Sequence, residues 1–179
     1  MPKTRKMLSD WDAPYIQSLV KQIETQSKTT LAQWAIDYAE HALLPLWSKH
    51  YPDDSRPWKA LDAARDWLAG AIKLPQAKPV ILECHAAARE TEGNSVAQAA
   101  ARAIGQCAST IHSARHCIGL ALYGALAVAY DTLGTKATWI SWSNVRPKSA
   151  EVCLTRYALC RLITSRTRLK LTGSADGRH

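Results

Sequence analysis

Histidines supply the side chains in this sequence best suited to metal binding or acid–base chemistry, and they recur at helical spacing. Three pairs of residues lie four positions apart: Asp37 and His41, His85 and Arg89, and His112 and His116. Because positions i and i+4 share one face of an α-helix, the two members of each pair project from the same side of their segment. Imidazole nitrogens bind zinc, nickel or iron, and a nearby carboxylate can orient them.

Two interpretations of these histidines are open. If their segments converge inside a helical bundle, His41, His85, His112 and His116 form a metal site, and the chain is a metal-binding bundle or a metal-dependent enzyme. Otherwise each histidine caps a helix, forms a pair or fills a polar pocket between helices. Clustered titratable groups often serve such structural roles. We favour the second interpretation and expect no metal and no cofactor.

The loop Tyr51-Pro52-Asp53-Asp54-Ser55-Arg56-Pro57 concentrates charged and rigid residues. Its acidic side chains suit the free N–H groups at a helix start. Arg56 is expected to clamp a carboxylate, Asp37 or Glu40, or to offer a bidentate fork to a ligand. Trp47 and Trp58 flank this loop, and an exposed pair of indoles beside an arginine is typical of a protein-binding surface.

Signals of nucleophilic catalysis are weak. The sequence contains no G-x-S-x-G motif, no P-loop and no dinucleotide-binding glycine motif. The cysteines near histidines, Cys84-His85 and His116-Cys117, are neighbours in sequence, so on a helix their side chains point about 100° apart. We therefore expect a protein that is not an enzyme.

Composition favours one globular unit inside a cell. The 179 residues are 47% hydrophobic, which suits a single domain with its own core. No run approaches the roughly 18 consecutive apolar residues of a membrane span, and Asp10 and Asp12 interrupt any signal-peptide pattern. The odd number of cysteines and the lack of C-x-x-C pairs favour core packing over disulfides or zinc. We expect a cytoplasmic protein with no membrane partner.

The net charge of +8 belongs mainly to the C-terminal end. Residues 146–179 hold 8 Lys or Arg and 2 acidic residues, whereas residues 1–145 hold 15 and 13. A basic tail is usually a solvated end and only sometimes an arm for phosphates. Nucleic-acid binding by the tail is accordingly the weakest functional hypothesis.

Apolar periodicity predicts an all-α fold. Helices are expected to begin near Asp12, at Thr30, after Pro57, near Pro79 and after Ser95, with the Thr30 and Ser95 hydroxyls as caps. Pro45 is expected to end the second helix. Residues 96–133 would form a helix of about 57 Å, longer than a small domain is wide, so a break is expected near 109–113.

Both halves of that region are rich in Ala and Gly, which predicts two central helices in a compact bundle of about six or seven. Residues 10–138 form the predicted helical domain. Residues 139–179 form a divergent basic segment, with one helix around 149–163 and a disordered end.

Several motifs together resemble those of a known family. They are W-A-I-D-Y-A-E-H from Trp34, Y-P-D-D-S-R-P from Tyr51, A-A-R-D-W-L-A-G from Ala63, H-A-A-A-R-E from His85 and H-S-A-R-H from His112. The combination resembles the all-helical immunity proteins of bacterial polymorphic-toxin systems over roughly residues 10–138. The resemblance implies binding and neutralisation of a toxin, and it offers no catalytic residues.

The family's polar pattern coincides with His41, Asp53, Asp54, Arg56, His85, Arg89, His112 and His116. Together with Trp58, these positions are the candidate toxin-binding residues. Trp58 departs from the family, which has a basic residue there, and the basic tail departs from an acidic helix in relatives. We expect a protein toxin as the partner, and the near-neutral body argues against a mimic of nucleic acid, which would need a strongly acidic face.

Overall fold

The computed structural model describes residues 11, 12, 14–91 and 93–135, and within these ranges the chain is helical without a strand. Seven α-helices are joined by turns or by short π- and 3₁₀-helical segments. The α-helices are α1 Pro14–Ile23, α2 Lys28–Tyr38, α3 Leu44–Ser48, α4 Arg56–Leu68, α5 Leu74–Glu90, α6 Ser95–Ser109 and α7 Ala125–Leu133.

Three short segments link some of these helices without a break in helical direction. A π-helical turn, Ala39–Leu43, joins α2 to α3, and the 3₁₀ segment Ala114–Ile118 and the π-helical turn Leu120–Gly124 lead into α7. The described residues thus form six continuous helices. The predicted all-α bundle is confirmed, and so is the break after Ser109.

Helix α6 lies at the centre of the bundle. It packs against α3, α4, α5 and α7 and against both π turns. Because most of its buried side chains are small, neighbouring backbones can approach closely. Its buried positions are Ala97, Ala99, Ala100, Ala101, Ala103, Ile104, Gly105, Cys107 and Ala108. The predicted role of the Ala/Gly-rich segments is confirmed.

Two predicted caps are displaced by a few residues. Ser27, not Thr30, caps α2, since the hydroxyl oxygen of Ser27 accepts the N–H of Thr30 at 3.0 Å. Asn94, not Ser95, caps α6, since its side-chain oxygen accepts the N–H of Ala97 at 3.0 Å. In both cases a good capping residue stands earlier in the sequence and has the non-helical backbone that a cap requires.

Two prolines do not delimit helices as predicted. Pro45 does not end the second helix, because the π turn before it widens the backbone and places Pro45 in the first turn of α3, where its missing N–H costs least. Pro79 lies inside α5 and does not begin it. Pro75 takes the first-turn position, and the side-chain oxygen of Gln76 accepts the N–H of Lys73 at 2.9 Å.

The core is built from aliphatic and indole side chains around α6. Trp47 is almost fully buried and Trp34 is buried, whereas Trp58 is half exposed. The predicted exposed indole pair is therefore right for Trp58 and wrong for Trp47.

Three of the five cysteines, Cys84, Cys107 and Cys117, are buried and free, which confirms their predicted place in the core. Burial raises the pKa of Cys84 and of Cys117 to about 12, so neither thiol supplies a thiolate nucleophile at neutral pH.

Within the described residues, one helical stretch, Ala114–Leu133, is long and apolar enough to cross a membrane by length and composition alone. Of its most apolar window, 61% is buried inside the protein, as is usual for a core helix. The helix predicted around 149–163 and the basic tail lie outside the described residues, as do Cys153 and Cys160.

The contact between the two π turns gives a test of this packing. The Leu43 side chain is fully buried and lies beside Gly124 and Ala103. We expect Leu43→Ala to lower the free energy of unfolding by about 2–5 kcal/mol, because the neighbours cannot collapse fully into the cavity. Urea denaturation measures this loss. The exposed Leu82 is the matched control, and Leu82→Ala should change stability by less than about 0.5 kcal/mol. Equal losses of unfolding free energy in the two variants would contradict the packing described for Leu43.

Candidate functional site

The loop between α3 and α4 is held from below by a buried indole. The Nε1–H of Trp47 donates a hydrogen bond to the backbone oxygen of Asp54 at 2.8 Å. The Trp47 ring also stacks on Tyr51, with centroids 4.8 Å apart and planes inclined by 22°. Both ends of the loop are thereby tied to the core.

A charged network fixes the same loop from the side. The single Nε–H of Arg56 is shared between both oxygens of the Asp54 carboxylate, each 3.0 Å from Nε. The carboxylate also accepts a hydrogen bond from Nη2 of Arg56 at 2.7 Å and one from its backbone N–H at 3.0 Å. Nη1 of Arg56 reaches Glu90 at the end of α5, at 2.7 Å. The guanidinium of Arg56 lowers the pKa of Asp54, and the Asp54 carboxylate raises that of Arg56. Arg56 therefore joins the start of α4 to the end of α5.

The predicted partner of Arg56 is wrong. Its carboxylates are Asp54 and Glu90, because the loop places it at the α4–α5 end of the bundle. Asp37 and Glu40 instead flank Arg65, which bonds Glu40 and lies 3.6 Å from Asp37. Arg65 faces α2 and the π turn after it from the last turn of α4, a position that spacing within one segment could not reveal.

Above this network the loop presents an exposed surface. Residues 50–56 line an open cleft of about 470 Å³. Asp53 is exposed, and Trp58, in the first turns of α4, is 50% exposed. We call Pro52, Asp53, Ser55 and Trp58, the exposed residues on and beside this fixed loop, the loop surface. Asp54 and Arg56 lie beneath it and hold it in place.

Removal of Asp54 tests this division of roles. We expect Asp54→Ala to cost about 1–3 kcal/mol of unfolding free energy, since it removes three of the guanidinium's contacts and leaves a helix-terminal N–H without an acceptor. Glu90→Ala should cost less than about 0.5 kcal/mol, because the Glu90 side chain is largely exposed and water screens its ion pair. Chemical denaturation of both variants measures the difference. A larger loss for Glu90→Ala would refute this account of the network.

A second polar group lies between α5, α6 and the 3₁₀ segment. The imidazole of His85 packs on the backbone of Gly105, where a Cβ atom would stand only 2.6 Å from Cε1 of the ring. Nε2 of His85 lies 3.4 Å from the Ser109 hydroxyl, which itself donates to the Gly105 oxygen at 2.7 Å. Nε2 of His85 is thus the donor of this long contact. Gly105 is required here because its missing side chain makes room for the ring.

His116 contacts α6 at Gln106, the residue after Gly105. Its Nδ1 lies 2.7 Å from the side-chain oxygen of Gln106, so Nδ1 carries the proton and Nε2 the free lone pair. The stem of Gln106 rests on Gly119, where a Cβ atom would overlap it. The exposed His112 ring lies 6.1 Å from that of His116, centroid to centroid. We call His85, His112 and His116, with Gln106 and Ser109, the histidine cluster.

The surroundings of the cluster disfavour positive charge. Burial first, then Arg89 and His116, lower the pKa of His85. Burial and then His112 lower the pKa of His116. Within the described part of the chain, no carboxylate contributes to either shift. Both imidazoles are therefore neutral at neutral pH.

Of the four histidines considered as metal ligands, His112 and His116 are neighbours, and His85 packs on Gly105, next to the Gln106 that holds His116. His41 stands apart on the π turn, with Nδ1 2.7 Å from the Asp37 backbone oxygen. Among the described residues, no group of three or more His, Cys, Asp or Glu side chains could hold a metal ion. The geometry that the metal-site alternative required is thus not found there.

The lowered pKa values of His85 and His116 predict how stability depends on pH. The unfolded chain binds protons to these imidazoles at a higher pH than the folded chain does. The contribution of these two imidazoles to the free energy of unfolding is therefore complete above about pH 6.5. It decreases as the pH drops below that value.

Urea unfolding at a series of pH values measures the slope, and the double variant His85→Gln, His116→Gln should flatten it. A stability that rises as the pH falls through this range, or an unchanged slope in the double variant, would contradict the assignment.

Some members of these sites could not be found from sequence spacing. Glu90, Gln106 and Ser109 were missed because their partners lie on other helices, and pairing between helices follows from tertiary packing. The signal for Gly105 was its place in a small-residue helix, although the sequence does not show that a histidine ring would fill the space. Asp54, Arg56, His85 and the His112–His116 pair were singled out from the sequence, and their toxin-binding roles remain predictions.

The sequence is similar to a known protein family. The sequence model of a family described as Imm-5 like putative immunity protein matches residues 21–146. No curated protein and no solved structure matches the chain.

Proposed function

Since the chain belongs to the Imm-5 like putative immunity protein family, whose match covers more than half of it, we propose that it binds a protein toxin and neutralises it without catalysing a reaction. Family membership implies a toxin as partner in general terms and suggests a non-enzymatic role. It agrees with the resemblance seen in the sequence motifs. Action in the bacterial cytoplasm, within a polymorphic-toxin system, is part of the proposal.

The observation that carries the proposal is the half-exposed Trp58 beside a loop that is already fixed. A large aromatic side chain on a rigid surface loses little entropy on binding, and tryptophan is enriched at the energetic centres of protein interfaces. Asp53, also exposed, adds a charge at the rim. The loop surface is thus held in one conformation before a partner binds, through contacts of Trp47, Asp54, Arg56 and Glu90.

The described residues favour a binding surface over a catalytic centre. The three buried cysteines have raised pKa values, and the Ser109 hydroxyl donates to a backbone oxygen and not to His85. The near balance of charge in residues 1–145 also argues against neutralisation by nucleic-acid mimicry. Direct occlusion of the toxin is the mechanism that we propose.

Growth assays can test the proposed function. An affinity-tagged chain is expressed in its source cell, crosslinked and purified, and each captured protein is then expressed alone and together with the chain. We expect one captured protein to arrest growth by itself and the intact chain to relieve the arrest. If no captured protein is toxic, or if the chain relieves none of the toxicity, the proposed function is wrong.

Variants then locate the binding surface. Trp58→Ala should weaken toxin binding by at least about tenfold, which corresponds to about 1.4 kcal/mol, and should leave the folding transition in place because the ring is half exposed. Titration calorimetry with the purified toxin measures the affinity. Leu82→Ala, which removes another exposed apolar side chain, is the control and should bind normally. Normal binding by Trp58→Ala would place the interface elsewhere.

A further inference from the structure

We propose that the open cleft lined by residues 50–56 receives an arginine side chain of the toxin, bound by the Asp53 carboxylate, the Ser55 hydroxyl and the Tyr51 ring. This inference rests on the proposed function and deepens it, because it names the side chain that the partner must bring to the loop surface. All three groups line the same cleft of about 470 Å³, which is open to solvent.

The carboxylate of Asp54 and the guanidinium of Arg56, which also line the cleft, are already engaged in the fold. Both oxygens of Asp54 accept hydrogen bonds from Arg56, and the guanidinium also reaches Glu90 at 2.7 Å. The backbone oxygen of Asp54 accepts the Nε1–H of Trp47. A ligand that used any of these groups would replace a bond that holds the loop.

Asp53 and Ser55 present oxygen atoms without such partners. Asp53 is exposed, and within the described part of the chain its carboxylate forms no hydrogen bond and no ion pair. Ser55 stands at the N-cap of α4, yet its hydroxyl makes no capping hydrogen bond. Two side chains of the cleft are therefore free to accept hydrogen bonds from a ligand.

The charges on and beside the cleft leave one carboxylate without a cation. With histidine counted as neutral, the groups are Asp53, Asp54, Glu90 and Asp131 against Lys49, Arg56 and Lys59. Arg56 binds Asp54 and Glu90. Lys49 binds Asp131 at 2.8 Å, and Lys59 acts on Asp54 from outside the cleft lining. The unbalanced charge in the cleft is that of Asp53, and an incoming cation would neutralise it.

An anion fits this place poorly, although α4 begins here. The N-terminus of a helix attracts negative charge. At α4 the Asp54 carboxylate already supplies that charge, since it accepts the N–H of Arg56 at 3.0 Å. Pro57, the next residue, has no N–H to offer. A second anion would also be repelled by Asp53.

Among cations, an arginine side chain matches the free groups better than a lysine. Its planar guanidinium carries five N–H donors, so it can bind both oxygens of Asp53 and still donate to Ser55. Its flat face can also stack on an aromatic ring. Tyr51 is half buried, and its ring stacks on Trp47 with centroids 4.8 Å apart, so it is held in a fixed position at the cleft. A lysine ammonium is a compact, strongly hydrated charge that uses neither the fork nor the ring as well.

The test uses the full chain and three capped tripeptides with glycine on either side of arginine, lysine or citrulline. Citrulline has nearly the shape of arginine but no charge. Nuclear magnetic resonance of the backbone amides follows titrations into the millimolar range, since a single side chain binds weakly. We expect the arginine peptide to shift amides within residues 50–56 and to bind at least about threefold more tightly than the lysine peptide. The citrulline peptide should bind least.

Variants separate the cleft from general charge attraction. Asp53→Asn should weaken binding of the arginine peptide by about fivefold to tenfold, because an amide cannot form an ion pair with the guanidinium. It should unfold at the same urea concentration as the parent chain, since the Asp53 side chain makes no bond within the described residues. Asp66→Asn is the matched control, because it removes the same charge from an exposed position in the last turn of α4, and it should bind normally.

Three results overturn the arginine site. They are the absence of shifts in residues 50–56 with the arginine peptide, equal or tighter binding of the lysine or citrulline peptide, and an equal loss of affinity in Asp66→Asn. Because the titrations use no toxin, such a failure leaves the growth assay and Trp58→Ala to decide the proposed function on their own.

Discussion

The close packing around α6 is the constraint on which the rest of the structure depends. A helix that touches α3, α4, α5 and α7 at once has almost no surface left for large side chains. Its alanines and glycine satisfy that condition, and the volume of the core is supplied by its neighbours, among them Leu43 and Trp47. The loop surface and the histidine cluster both inherit their rigidity from this arrangement. Trp47, buried against the bundle, holds the loop through Asp54, and the Gly105 backbone of α6 supports the ring of His85.

The loop surface and the histidine cluster differ in how their polar groups are held. Beneath the loop surface, Arg56 is neutralised by Asp54 and Glu90, so the charges there are structural and the exposed side chains are free to meet a partner. In the histidine cluster, the imidazoles of His116 and His85 contact the neutral side chains of Gln106 and Ser109. A partner at the loop surface would gain mainly from contact with the half-exposed Trp58.

Sequence periodicity was sufficient to predict the helices and much of their buried faces, because burial on one side of a helix produces a local pattern in the sequence. It failed at Pro45 and Pro79, where π-helical backbone or an earlier helix start accommodates a residue that usually marks a boundary. The sites were less accessible from sequence. Arg56 was recognised as a clamp, but its partners were misassigned, since the neighbour of a long side chain depends on which helix ends meet. The pairing of His85 with Gly105 required the register of α5 against α6, which no local pattern contains.

The central claim is that the loop surface binds the toxin that the chain neutralises. Hydrogen–deuterium exchange of the chain, alone and in complex with that toxin, tests this claim most directly, because it locates the interface without altering a residue. The account expects slower exchange of backbone amides in residues 50–59 of the complex, with the buried centre of α6 unchanged. Exchange in residues 50–59 at the same rate with and without bound toxin would contradict it.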